Sequence, residues 1–198
     1  MTFNHFTRHG KRPCLFWSNL FELGRNIRSG TFDFFLAQSG NLLFMVSTRK
    51  IDLDSILNVV VAAAVIGYSM HELNLAPSLF DYLTYGVFVG CGVMVSYSLL
   101  LLISSVSFWT IGSQGMEGGY CTLFEFSRLP REAFSGVSNV VFVWILPTVV
   151  ISNAPALTFI SGLQPGYTLW LLGTTAAWFA LSVFVFHRGL RRYASASS

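Results

Sequence analysis

From Ala133 to Phe186 the chain contains no Asp, Glu, Lys or Arg, and from Tyr82 to Gly112 it contains none either. Uncharged runs of that length cannot be accommodated inside a small soluble domain, whose surface needs charge. They suit a solvent that is itself apolar, where about 20 residues of helix cross the hydrocarbon. Composition agrees: of 198 residues 53% are hydrophobic and only 11% charged, less than half the roughly 25% usual for soluble domains. The sequence therefore predicts an all-α, polytopic integral membrane protein.

The position of the charges predicts orientation. All twelve Lys and Arg fall in three clusters: Arg8, Lys11, Arg12, Arg25, Arg28, Arg49 and Lys50; Arg128 and Arg131; Arg188, Arg191 and Arg192. A net charge of +3 arranged this way marks the cytoplasmic ends of spans rather than a nucleic-acid surface. Four spans are predicted, at about 53–72, 82–112, 137–152 and 167–186, with Asn153, Pro155, Gly162, Pro165 and Gly166 breaking the last uncharged run in two. Loops alternate between basic and non-basic, so both termini and the segment between spans two and three are expected in the cytoplasm. Pro147 predicts a kink in span three. Tyr82, Tyr85, Tyr167 and Trp170 suit either an interfacial belt or internal packing.

Residues 1–50 precede the first span as a cytoplasmic segment, and 51–198 form the membrane domain. Residues 1–13 are mixed and polar, unlike a signal peptide. Ser18 is expected to start a helix with Leu20, Leu23 and Ile27 on one face, and Ser29-Gly30 to stop it. Thr31 is expected to cap a second helix carrying Phe32, Asp33, Phe35 and Leu36. Gly40 then breaks the pattern before an apolar stretch over Asn41–Val46. Such a basic-edged amphipathic element lies on anionic lipid or docks a cytoplasmic partner.

Catalytic signatures are missing. Neither Lys11 nor Lys50 sits in GxxxxGK, and GxSxG, HExxH and CxxC are absent, so no catalytic residue or cofactor is expected. His5, His9 and Cys14 make a weak metal pattern interrupted by Gly10, and no metal site is expected. Cys91 reads as a small hydrophobe. No acid or histidine falls deep in a span, which disfavours an ion-coupled carrier. Gly86 and Gly90 form GxxxG, and Gly92 and Ser96 repeat the small-residue spacing beside it. Either pair serves close packing within the chain or between two chains.

Two stretches resemble bacterial type 2 ATP-binding-cassette (ABC) transporter permeases. One is Asn19-Leu20-Phe21-Glu22-Leu23 followed by Ile27-Arg28-Ser29-Gly30-Thr31-Phe32-Asp33-Phe34-Phe35-Leu36. The other is the ending Gly189-Leu190-Arg191-Arg192-Tyr193-Ala194-Ser195-Ala196-Ser197-Ser198, with the Leu146-Pro147 and Ala154-Pro155-Ala156 spacing ahead of it. The resemblance spans residues 17–198. It departs at Ala37-Gln38, where the family carries Arg-Pro, and in span number, since the family has six and the missing pair is expected before residue 17. It implies a permease subunit, an exporter of the bacterial inner membrane, without its own ATPase site. Its partners would be a separate cytoplasmic ATPase, a second permease chain and the bilayer, with no nucleic acid. Leu23, Ile27, Arg28, Asp33 and Phe35 become the expected ATPase-docking residues. A non-transporting membrane scaffold is the alternative.

Overall fold

A computed structural model describes residues 18–36, 38, 40–48, 53–73, 78–110, 119, 122, 125–126, 128–129, 133, 135–137, 140–145 and 165–196. The helices are α1 (Ser18–Arg28), α2 (Asp33–Leu36), α3 (Leu42–Thr48), α4 (Leu53–Glu72), α5 (Leu79–Ser105) and α6 (Pro165–Ala196). A 3₁₀ turn (Val106–Phe108) continues α5, and a π-helical segment covers Val140–Ile145. No strand occurs among the described residues.

Two of these helical stretches, Leu79–Phe108 and Pro165–Tyr193, are long and apolar enough to cross a membrane. The first begins earlier than its sequence pattern indicated. The Asp81 carboxylate accepts the Ser78 backbone N–H at 2.8 Å, which starts the helix at Leu79. The second extends at both ends beyond the expected 167–186. Pro165 fits a first helical turn, where its missing N–H costs nothing. With 32 residues, α6 is about 48 Å long, more than the ~30 Å of hydrocarbon. A crossing perpendicular to the membrane therefore needs only part of it. The Arg188 guanidinium lies over the exposed Phe184 ring, 5.2 Å from its centroid, where the apolar face gives way to charge.

α4 has the bounds expected of the first span, but its described apolar part, Val59–Glu72, is shorter than the two crossing helices. Leu57, Val59, Val60, Val61, Val65 and Tyr68 on it are all exposed, an apolar surface that water does not tolerate at this extent. Span three is described only at Val137 and Val140–Ile145, and the latter is π-helical, not the expected α. Pro147, Asn153 and Pro155 themselves lie outside the described residues, as do His5, His9 and Cys14.

α5 and α6 pack side by side and run parallel. Phe88 meets Tyr167 near their starts (ring centroids 6.3 Å), Tyr97 meets Phe179 midway (6.3 Å) and Phe108 meets Phe186 near their ends (5.8 Å). Tyr167 also stacks on Trp170, so these two aromatics pack internally. Hydroxyls along both helices turn back on their own backbone. Ser96, Ser98 and Ser105 donate to the carbonyls of Gly92, Met94 and Leu101, and Thr174 and Thr175 to those of Trp170 and Leu171. Such bonds satisfy these five hydroxyls within the chain, as an apolar medium requires.

Residues 18–48 do not stand apart from the long helices. Leu20 and Leu23 on α1, Phe32 before α2 and Val46 on α3 join Val95, Leu99, Leu100, Leu101 and Phe186 in one buried core at the C-terminal ends of α5 and α6. α1 stops where expected: Gly30 adopts φ 71°, a conformation free of Cβ strain only for glycine. Thr31 differs from expectation. Its hydroxyl bonds back to the Asn26 carbonyl (3.3 Å) and side chain (3.4 Å), closing α1 rather than capping α2. Asn41 supplies the start of α3, its side-chain oxygen accepting the Phe44 N–H at 3.3 Å.

Candidate functional site

The amphipathic face of α1 points inward. Leu20 and Leu23 are fully buried, and Ile27 and Phe35 pack partly buried against the same cluster. Asp33 is exposed and accepts a hydrogen bond from the Tyr193 hydroxyl at 2.9 Å. Of the expected docking residues, Leu23, Ile27, Asp33 and Phe35 are thus brought together around one aromatic core. The Arg28 side chain lies outside the described set. Leu23 is shielded by its own chain and presents nothing outward.

The outward surface belongs to residues that periodicity did not single out. Phe34 is 73% exposed and Phe44 66%. Beside them, Thr31, Phe34, Phe35, Gln38 and Met45 line an open cavity of about 440 Å³. The sequence signal was present in the Phe32–Phe35 run, where four consecutive positions cannot all face one core. Only the packing decides that Phe32 goes in and Phe34 out.

The seat beneath this surface is aromatic. Phe32 packs edge-on against Tyr193 (5.3 Å) and Phe108 (5.6 Å), and Phe108 in turn contacts Tyr193 (6.2 Å) and Phe186 (5.8 Å). Gly189 makes room for it: a Cβ there would collide with the Phe108 ring, standing 2.8 Å from Cγ. On the other side Ser47 and Tyr97 share a buried hydrogen bond at 2.8 Å. The Ser47 hydroxyl also donates to the Leu43 carbonyl at 2.7 Å, so Tyr97 is the donor between them. The two stretches that carried the family resemblance, around Ile27–Leu36 and Gly189–Tyr193, therefore meet in space.

Residues 12–197 match the family described as ABC-2 family transporter protein. The chain belongs to that family. Membership makes it a membrane permease of an ABC transporter, in keeping with its two long apolar helices. No curated protein and no solved structure matches this ABC-2 permease. Among its described residues no group of three or more His, Cys, Asp or Glu could hold a metal ion. The small-residue ridges of the permease divide. Gly92 and Ser96 are buried within the chain. Gly86 and Gly90 are exposed, and a Cβ on either would meet nothing within 4 Å.

Proposed function

We propose that this chain is the membrane-spanning subunit of an ATP-driven exporter in a bacterial cytoplasmic membrane, powered by a separate ATPase and paired with a second permease chain. The chain contributes no ATPase site of its own. Residues 18–48 dock the ATPase through the outward surface of Phe34, Phe44 and Asp33, held from beneath by Leu23, Ile27 and Phe35, and Arg28 supplies the basic charge of the docking pattern. The exposed Gly86–Gly90 ridge is available to the second chain.

The parallel pairing of α5 and α6 carries this reading. Two neighbouring helices that run the same way require the chain between them to return to the starting side, which supports a crossing within residues 109–164. It also gathers the N-terminal segment and the Arg188–Arg192 cluster at one end, as expected of a cytoplasmic face. On this reading the chain makes four crossings with both termini inside. Reporter fusions after Gly119 and Ser198 are expected to read cytoplasmic, and those after Pro77 and Gly162 external. An external signal at Gly119 would refute the topology.

Docking is tested by exchanging charge. Arg28→Asp combined with Asp33→Arg is expected to abolish co-purification of the ATPase while membrane insertion persists. Asp33→Asn keeps an acceptor for Tyr193 and separates loss of charge from loss of that bond. Unchanged ATPase association in the charge-swapped chain would return residues 18–48 to the role of a lipid-surface element.

A further inference from the structure

We propose that Tyr193 is a positioning residue: it fastens residues 18–48 to the end of α6, so that this segment moves with α5 and α6 and not with α4. The inference deepens the docking reading above and rests on it for its mechanical meaning.

Chain order suggests the opposite. The segment is joined to α4 through residues 49–52, and Tyr193 lies far along the chain. Packing reverses that. α4 is exposed along nearly all its described side chains, and the hydrogen bond that reaches it from α5, Tyr82 hydroxyl to Met70 sulfur, is a long one at 3.9 Å. α6 holds the segment in three ways. The Tyr193 hydroxyl donates to Asp33 at 2.9 Å. Its ring stands edge-on to the fully buried Phe32, the residue immediately before α2. Phe108, lying over Gly189, fills the space between Phe32, Phe186 and Tyr193. The buried Tyr97–Ser47 bond adds a second fastening, from α5 to α3.

The hydroxyl and the ring have separable duties. The ring buries apolar area and would do so equally as phenylalanine. The hydroxyl makes a charge-assisted bond whose direction fixes where α2 sits on α6. A push on the outward surface at Phe34 or Phe44 therefore reaches α6 through Asp33 and Phe32, whereas among the described residues α4 is tied to α5 by the long Tyr82–Met70 contact.

The test uses the full chain in lipid nanodiscs with Cys14, Cys91 and Cys121 replaced by serine. Spin labels are placed at Gln38→Cys and Arg191→Cys, both exposed positions, and in a second protein at Gln38→Cys and Tyr68→Cys. Pulsed dipolar spectroscopy is expected to give a narrow 38–191 distribution and a broader 38–68 one. Tyr193→Phe, which keeps the ring, is expected to raise the detached population about fivefold, in line with loss of one hydrogen bond. Tyr193→Ala should raise it further, Asp33→Leu should match Tyr193→Phe, and Asp33→Asn should restore the narrow distribution. A broad 38–191 distribution in the parent protein, or no change in Tyr193→Phe, would overturn the proposal. ATPase co-purification with the same proteins reads the docking assignment separately, so its failure leaves the distance measurement to decide the joint.

Discussion

Gly189→Ala is expected to destabilise the protein by about 1–3 kcal/mol, the usual range for overpacking a filled core. The added Cβ would overlap Phe108, and the nearest atoms include its Cβ methylene and Cγ as well as the ring edge. A flexible side-chain tip could swing aside, but a ring held between Phe32, Phe186 and Tyr193 cannot move without opening the cluster. Phe108→Ala should itself cost about 3–5 kcal/mol, as large-to-small aromatic changes do. The informative variant is the double one. With the ring gone, the extra methyl has space, so Gly189→Ala should become nearly neutral in the Phe108→Ala background. Thermal unfolding of the detergent-solubilised protein measures the cycle. Additive effects of the two changes would mean that Phe108 does not lie over Gly189.

Leu23→Asp and Phe34→Asp should fail in different ways, although both put a carboxylate on an apolar position of the same segment. Leu23 is fully buried in the core shared with α5 and α6. An unpaired charge there carries a penalty of several kcal/mol, so Leu23→Asp should detach residues 18–48 and expose the loop around Gly30 to protease. Phe34 is 73% exposed, so Phe34→Asp should leave protease resistance unchanged. If Phe34 is an apolar anchor for the ATPase, its loss removes about 2 kcal/mol or more of binding, a drop of roughly thirtyfold in affinity at that figure. Equal protease sensitivity of the two variants would reject the inward and outward assignments.

The contrast between these two residues marks the limit of what could be read along the chain. The α1 stripe of Leu20, Leu23 and Ile27 was legible because helical period alone selects one face, and the stop at Gly30 was legible because a positive φ requires a residue without Cβ. The destination of that stripe was not. An apolar face looks the same whether it meets lipid, a partner or the chain's own helices, since all three are apolar surfaces. Thr31 was misassigned for a related reason. A hydroxyl beside a helix boundary can cap the next helix or close the previous one, and the backbone geometry around Gly30 chooses the second.

Gly189 and Tyr193 show the same division at the other end. Their place in a recurring ending was visible, but their reason was not, because Phe32, Asp33 and Phe108 are remote from them in the chain. By itself the sequence determined the class of solvent, the helical character, the bounds of α4 and the basic ends, since each depends on local composition or on short-range period. Tertiary structure alone decided that α5 and α6 run parallel, that the N-terminal segment rests on their ends, that Phe34 faces out while Phe32 faces in, and that Asp33 finds Tyr193. Those outcomes depend on shape and hydrogen-bond complementarity between distant segments, which no local pattern encodes.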